Sequence, residues 1–299
     1  MKKTVQEIIY KHLGQKAQEI SQIINRGQVN EIYIVTTESS KYIVRIDLSE
    51  STTDRFEKEA WCMNETGKLG ILGPTIFGVG IKAEHPYMIM SYVEGKNGDE
   101  AIENEKDKIW NELGKYARKI HSIPVEGYGE GMITPGVFKD SWLRYINYNI
   151  SSLTPDDKII ELGVITEKES KKIKNIFLEL LNTNFNFGLI HYDLSLKNTI
   201  LTTTGEVYLI DWGSAQSAPV PHLDIVEILD SSLGENSKQF ALFLEGYGLT
   251  FQEYEKIKTE MAKINLLINI DKLRWALDRR RDKIDYFSQK VKNKLAKLL

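Results

Sequence analysis

Apolar residues recur at helical spacing at the start of the chain, at Val5, Ile8, Ile9 and Leu13, with Gly14 placed to stop the helix. The pattern then changes. Within residues 23–48, Ile32, Ile34 and the run 42–46 read as β-strands, with Glu38, Ser39 and Ser40 as the turn between them. Residues 54–68 predict a helix, and 88–93 another apolar strand. From Asn97 onward helical periodicity dominates, over 107–121, 141–151, 167–183, 223–230 and most of 237–299. One hairpin interrupts it. Residues 199–202 and 206–210 are β-branched and apolar enough for strands, and Thr204-Gly205 offers the turn. The stretch 127–146 reads as a loop followed by a helix. The expectation is an α+β chain: an antiparallel sheet lobe over 1–94 and a mainly helical lobe over 95–299, divided near Glu94-Gly95 where a strand gives way to polar residues and glycines.

Composition narrows the class. At 299 residues, 41% hydrophobic and 27% charged, the chain can bury a sizeable core in two lobes. A net charge of −3 lacks the basic footprint of a nucleic-acid binder, and no apolar run reaches the ~18 residues that would span a membrane. The N-terminus breaks its apolar positions with charges, unlike a signal peptide. The single cysteine, Cys62, excludes an intrachain disulfide and reads as a packing residue, so a reducing cytoplasm is expected.

The chemistry concentrates in HYDLSLKN (191–198) and VYLIDWG (207–213). Asp193 could accept a proton from an attacking hydroxyl, while Asn198 and Asp211 could hold Mg²⁺ against nucleotide phosphates. A tight hairpin between them would bring Asn198 and Asp211 to the same end. Upstream, Gly27 sits in a polar turn that includes Asn30, where backbone can approach a phosphate. Neither a G-x-G-x-x-G nor a G-K-[ST] motif is present. Arg45 lies inside the apolar strand YIVRI, and a buried cation needs anionic partners. Glu59 on the following helix is the favoured one, with Glu57 as rival and nucleotide phosphates as further partners. The alternative is an edge strand with Arg45 in solvent.

These features together resemble the aminoglycoside phosphotransferase family, small-molecule kinases of protein-kinase-like fold, over nearly the whole chain. The resemblance is carried by HYDLSLKN, LIDWGSA (209–215), KYIVRI (41–46), EAWCMNE (59–65), MIMSYVEG (88–95) and KIHSIP (119–124). It implies a two-lobed fold with ATP between the lobes, Asp193 as base, and Asn198 and Asp211 as Mg²⁺ ligands. It implies that Arg45, positioned by Glu59, holds phosphates, and that Ser91 and Val93 meet the adenine edge through backbone groups, with Met90 behind them. His191 would tie the catalytic loop to the neighbouring aspartate segment, and Asp224 would brace that loop from below. Arg45 replaces the lysine most often found in kinases, and Lys197 is placed either over the transferring phosphoryl group or in solvent.

Only thirteen positions separate Asp211 from Asp224, too few for the activation segment with which a protein kinase presents a peptide. Tyr192 also stands where protein kinases carry the arginine of H-R-D. The expected acceptor is therefore a hydroxyl of a small molecule, an aminoglycoside first, with no nucleic acid or membrane as partner. Glu227, Asp230 and Glu235, or Asp278, Asp282 and Asp285, are candidates to hold its amines, and Trp142, Tyr145 and Tyr148 to stack on its rings. A metabolic kinase of choline, a sugar or a homoserine-like alcohol is the alternative, followed by a non-catalytic nucleotide-binding module.

Overall fold

The computed structural model describes residues 1–24 and 30–298, so Gly27 lies outside the described residues. Helix α1 (Lys2–Leu13) ends at Gly14, which takes φ 67° and donates its N–H to Tyr10 O, a left-handed stop that suits glycine. Strands β1 (Glu19–Ile23), β2 (Asn30–Thr36) and β3 (Lys41–Asp47) follow, then α2 (Asp54–Lys68), β4 (Ile76–Lys82) and β5 (His85–Ser91). They form one antiparallel sheet in the order β1-β2-β3-β5-β4. Alternation divides its side chains. Tyr33, Val35, Val44, Ile46 and Ile89 share a core with Val5, Ile8 and Ile9 of α1, while Met88 and Met90 belong to the core that contains Phe56, Cys62 and Met63 of α2. Strand β4 escapes the sequence pattern because its glycines and exposed residues blur the alternation, and β5 starts earlier than expected, at His85. Cys62 is fully buried and its thiol is pushed up to about 12 by desolvation, so it packs and does not react.

The remaining chain contains β6 (Lys96–Asn97), α3 (Glu103–His121), β7 (Tyr128–Thr134), β8 (Val137–Asp140), α4 (Trp142–Ser151), α5 (Lys158–Glu161) and α6 (Glu167–Asn182). After these come β9 (Phe187–Ile190), β10 (Thr199–Leu201), β11 (Val207–Leu209), β12 (Gln216–Pro219), α7 (His222–Ser231), α8 (Lys238–Tyr247), α9 (Phe251–Arg279) and α10 (Ile284–Leu298). Helices dominate, as periodicity predicts, but residues 127–146 are not a simple loop and helix. They fold as the β7–β8 pair before α4, in a four-stranded sheet ordered β8-β7-β12-β9. Its strands are short and its pairings far apart in sequence, so no local signal announces it. Glu94 and Gly95, the expected boundary, lie between β5 and β6.

Trp142 and Tyr145 pack with Tyr128 in the core beneath this sheet, while Tyr148 is exposed. Among the described residues, no helix is long and apolar enough to cross a membrane.

Candidate active site

The β10–β11 hairpin sets the geometry of the site. Its ladder pairs Thr199 with Leu209 and Leu201 with Val207, closed by a turn in which Gly205 takes φ 83°. One step beyond the ladder, Ile210 donates its N–H to Asn198 O at 2.9 Å. Asp211, next in the chain, therefore emerges beside Asn198. On the other edge of β10, Ile200 pairs with Asn97 of β6, and the Asn97 amide donates to Lys197 O at 2.8 Å, tying the link from the first sheet to the loop.

The 191–198 loop is held from below. Asp224 on α7 is buried, and its carboxylate accepts the N–H groups of Tyr192 at 2.7 Å and His191 at 3.3 Å. It also meets His121 Nε2 at 2.9 Å. These bonds hold Tyr192 at φ 61°, a strained value for a bulky residue that costs about 1–3 kcal/mol unless its surroundings enforce it. His191 is completely buried against Trp212, and its Nε2 donates to Ile210 O at 3.2 Å, which links the loop to the strand end before Asp211. Burial lowers the His191 pKa, with Asp224 opposing, so the ring is neutral there. Within the loop, the Asn198 amide donates to Asp193 O at 2.8 Å. That bond engages the amide nitrogen and does not involve Oδ1. Asp211 also has positive φ, 62°, and its side chain is half-exposed. Asn198 Oδ1 and the Asp211 carboxylate are hard oxygen donors of the kind Mg²⁺ takes. Among the described residues no group of three or more His, Cys, Asp or Glu gathers for a metal, so the remaining ligands would be phosphate oxygens and water.

Arg45 completes the constellation from the other lobe. Strand β3 lies between β2 and β5, so Arg45 is central in the sheet, not on an edge. Its Nη1 and Nη2 donate to the two oxygens of fully buried Glu59 at 2.5 and 3.3 Å, a two-pronged pair. Glu57 instead accepts from Thr53 Oγ1 at the surface. With its amide oxygen turned toward the guanidinium, Asn30 accepts from Arg45 Nη2 at 2.7 Å and donates to Asp47 at 3.1 Å. Arg45 Nη2 also approaches Asp211 Oδ1 to 3.9 Å. Burial alone would lower the guanidinium pKa, but Glu59 and then Asp211 more than offset it, and it stays above its ordinary value. Gly213 fits this crowding: a Cβ there would stand 3.1 Å from Arg55 Nη2 and 3.4 Å from both Asp211 Oδ1 and Glu59 Oε1.

Lys197 is exposed, and its Nζ pairs with Asp193 Oδ2 at 2.9 Å. Ser91 donates its N–H to Thr75 O at 2.9 Å and its Oγ accepts the Thr75 N–H at 2.9 Å, so its backbone N–H is already engaged. Val93 follows the strand end and is half-buried, with Met90 buried behind.

On the side toward the helices, the expected acidic groups divide. Asp230 is paired with Lys290 and Lys294, Glu235 with Lys258, and Asp282 with Arg280. Glu227 lies one helical turn beyond Asp224; burial raises its carboxyl, Lys272 lowers it, and Asp230 and Asp193 raise it further. Asp271 on α9, which the sequence did not single out, is likewise raised by burial, with Tyr145 and then Arg274 opposing. It sits in a long helix of mixed polarity, where nothing local marks it.

The family model of phosphotransferase enzymes matches residues 21–258. The chain belongs to the phosphotransferase enzyme family. It is accordingly a phosphotransferase of the small-molecule kinase type, in the protein-kinase-like fold. Its structure is similar to that of a thermostable mutant of aminoglycoside phosphotransferase APH(4)-Ia in ternary complex with AMP-PNP and hygromycin B, with TM-score 0.71, 16% identity and 98% of each chain covered. It is also similar to the choline kinase LicA from Streptococcus pneumoniae, with TM-score 0.65, 18% identity and 99% of each chain covered. In sequence it is 36% identical over 188 residues to a probable bifunctional tRNA threonylcarbamoyladenosine biosynthesis protein of Methanococcus maripaludis. That match covers 62% of this chain and 30% of the archaeal protein.

Proposed function

We propose that the protein transfers the γ-phosphoryl group of ATP, with Mg²⁺, to a hydroxyl of a small molecule, an aminoglycoside first among acceptors. The observation that carries this reading is the approach of Arg45, locked on Glu59, to within 3.9 Å of Asp211, which the hairpin places beside Asn198 and hence beside the Asp193 loop. One cation for phosphates, two oxygen donors for a metal and one carboxylate for a proton, the last paired with Lys197, thus meet between the lobes.

In this reading Asp193 takes the proton of the acceptor hydroxyl as its oxygen bonds to the γ-phosphorus, the bond to the bridging oxygen breaks, and ADP leaves. Mg²⁺, when bound, neutralises charge on the phosphates, and Asn198 Oδ1 and the Asp211 carboxylate would hold it. Arg45 and Asn30 would orient the phosphates, as would Gly27. The Ser91 carbonyl and the Val93 N–H would read the adenine edge, with Met90 behind. Lys197, already on Asp193, could reach the transferring group by a rotamer change. Glu227 and Asp271 would attract acceptor amines, whereas Asp230 and Glu235 are already paired with lysines.

The choline kinase resemblance keeps a metabolic acceptor as the second reading. A phosphorylation panel with ATP or GTP, with and without Mg²⁺, against aminoglycosides, choline, homoserine and neutral sugars decides between them. Phosphorylation of uncharged acceptors alone would overturn the aminoglycoside reading, and a GTP preference would overturn the adenine assignment.

A further inference from the structure

We propose that Lys58 is a positioning residue for the candidate metal ligand Asp211, acting as a buried strut between α2 and the backbone just after that aspartate. The residue is 3% exposed, deeper than any ordinary lysine. Its Nζ donates to Gly213 O and to Ala215 O, both at 2.9 Å, and the Glu130 carboxylate of β7 lies 3.7 Å away. Two hydrogens of the ammonium thus meet carbonyls, and the carboxylate adds a charge beyond hydrogen-bond distance.

An ammonium is costly to bury, and an apolar side chain of the same length would fill this space without that cost. What the apolar side chain could not do is hold two carbonyls, two residues apart, on one point. Those carbonyls flank Ser214, in the turn that begins where Asp211 takes its left-handed conformation. Fixing them fixes the direction in which the chain leaves Asp211, and with it the carboxylate. Lys58 also neighbours Glu59 in α2. One short stretch of helix therefore holds both the phosphate-facing guanidinium, through Glu59, and the metal-facing aspartate, through Lys58, and sets their separation across the cleft.

This inference rests on the reading of Asp211 as a Mg²⁺ ligand. Its test is a Mg²⁺ titration in the presence of AMP-PNP, followed by calorimetry and by thermal melting, on the wild-type chain, Lys58→Met and Lys58→Gln. Met removes all three donors; Gln keeps a neutral donor and is the variant that folds if Met does not. The expected result is a Mg²⁺ midpoint raised about tenfold or more in both variants, the usual scale for removing a residue that orients a metal ligand. AMP-PNP affinity without Mg²⁺ should stay as in wild type. A lowered melting temperature with an unchanged Mg²⁺ midpoint, or failure of both variants to fold, would make Lys58 a purely structural residue and overturn the inference. Failure of the functional reading would look different: the wild-type chain itself would show no Mg²⁺ dependence of nucleotide binding.

Discussion

The side-chain amide of Asn198 donates to the main-chain carbonyl of Asp193 at 2.8 Å, which makes the candidate metal ligand and the candidate base parts of one closed loop. Asn198 then has two tasks, one for each end of its amide. Asn198→Asp should keep an oxygen for the metal yet place a carboxylate oxygen against the Asp193 carbonyl. We expect turnover to fall roughly tenfold or more in Asn198→Asp as well as in Asn198→Ala, with the larger rise in Mg²⁺ requirement in Ala. Steady-state rates across a Mg²⁺ series measure both, and an Asp variant as fast as wild type would show that the amide donor is dispensable.

Asp193 and Asp211 separate by role. Asp193→Asn should lower turnover about a hundred- to a thousandfold, the reach of a lost general base, while nucleotide affinity changes little. Asp211→Ala should weaken Mg²⁺-nucleotide binding along with turnover. Calorimetry with AMP-PNP beside a coupled kinase assay distinguishes the two, and equal loss of binding in both variants would refute the division.

The Arg45–Glu59 pair predicts a non-additive stability pattern. Glu59→Gln leaves a buried guanidinium short of its partner, and denaturant melts should show a loss of about 3–5 kcal/mol, the usual cost of breaking a buried ion pair from one side. Removing both charges, Arg45→Met with Glu59→Met, should cost less than either single change. The double variant should nonetheless bind nucleotide poorly, because stability and phosphate contact have different origins here. A double variant that binds normally would take Arg45 out of the site.

Acid should destabilise the fold through buried imidazoles. Burial holds His191 and His222 below the ordinary histidine pKa, so the unfolded chain binds more protons than the folded one in that interval. Stability is therefore full at neutral pH and falls as pH drops through about 6.5 toward the lowered folded values. Glu227 and Asp271, raised by burial, work the other way and gain stability on acidification. His222→Phe, which keeps a ring against Phe185, should flatten the loss, and Glu227→Gln should steepen it. Melting curves across this range test the sign; stability rising steadily as pH falls from neutral would contradict the histidine argument.

The sequence by itself determined the helix–strand alternation and the chemical content of the site. Periodicity located α2 and the β10–β11 hairpin because each buries a face whose spacing is written locally, in 3.6- or 2-residue steps. The hairpin also made the proximity of Asn198 and Asp211 a local matter. Arg45 announced a need for an anion because a cation in an apolar strand has few other fates. What that anion was, and what surrounds it, only the tertiary structure decided. Lys58 reads as one more charge on a helix until its carbonyl partners, more than 150 positions away, are known to fold onto it. Asp230 and Glu235 read as free acids until α9 and α10 bring lysines to them. The β7–β12–β9 sheet, the burial of Asp271 and the pairing of Lys197 with Asp193 belong to the same group. Each depends on where a backbone turn aims a side chain or which distant element covers it, and the free energy of those choices lies in packing and desolvation between segments, not in the residues of any one of them.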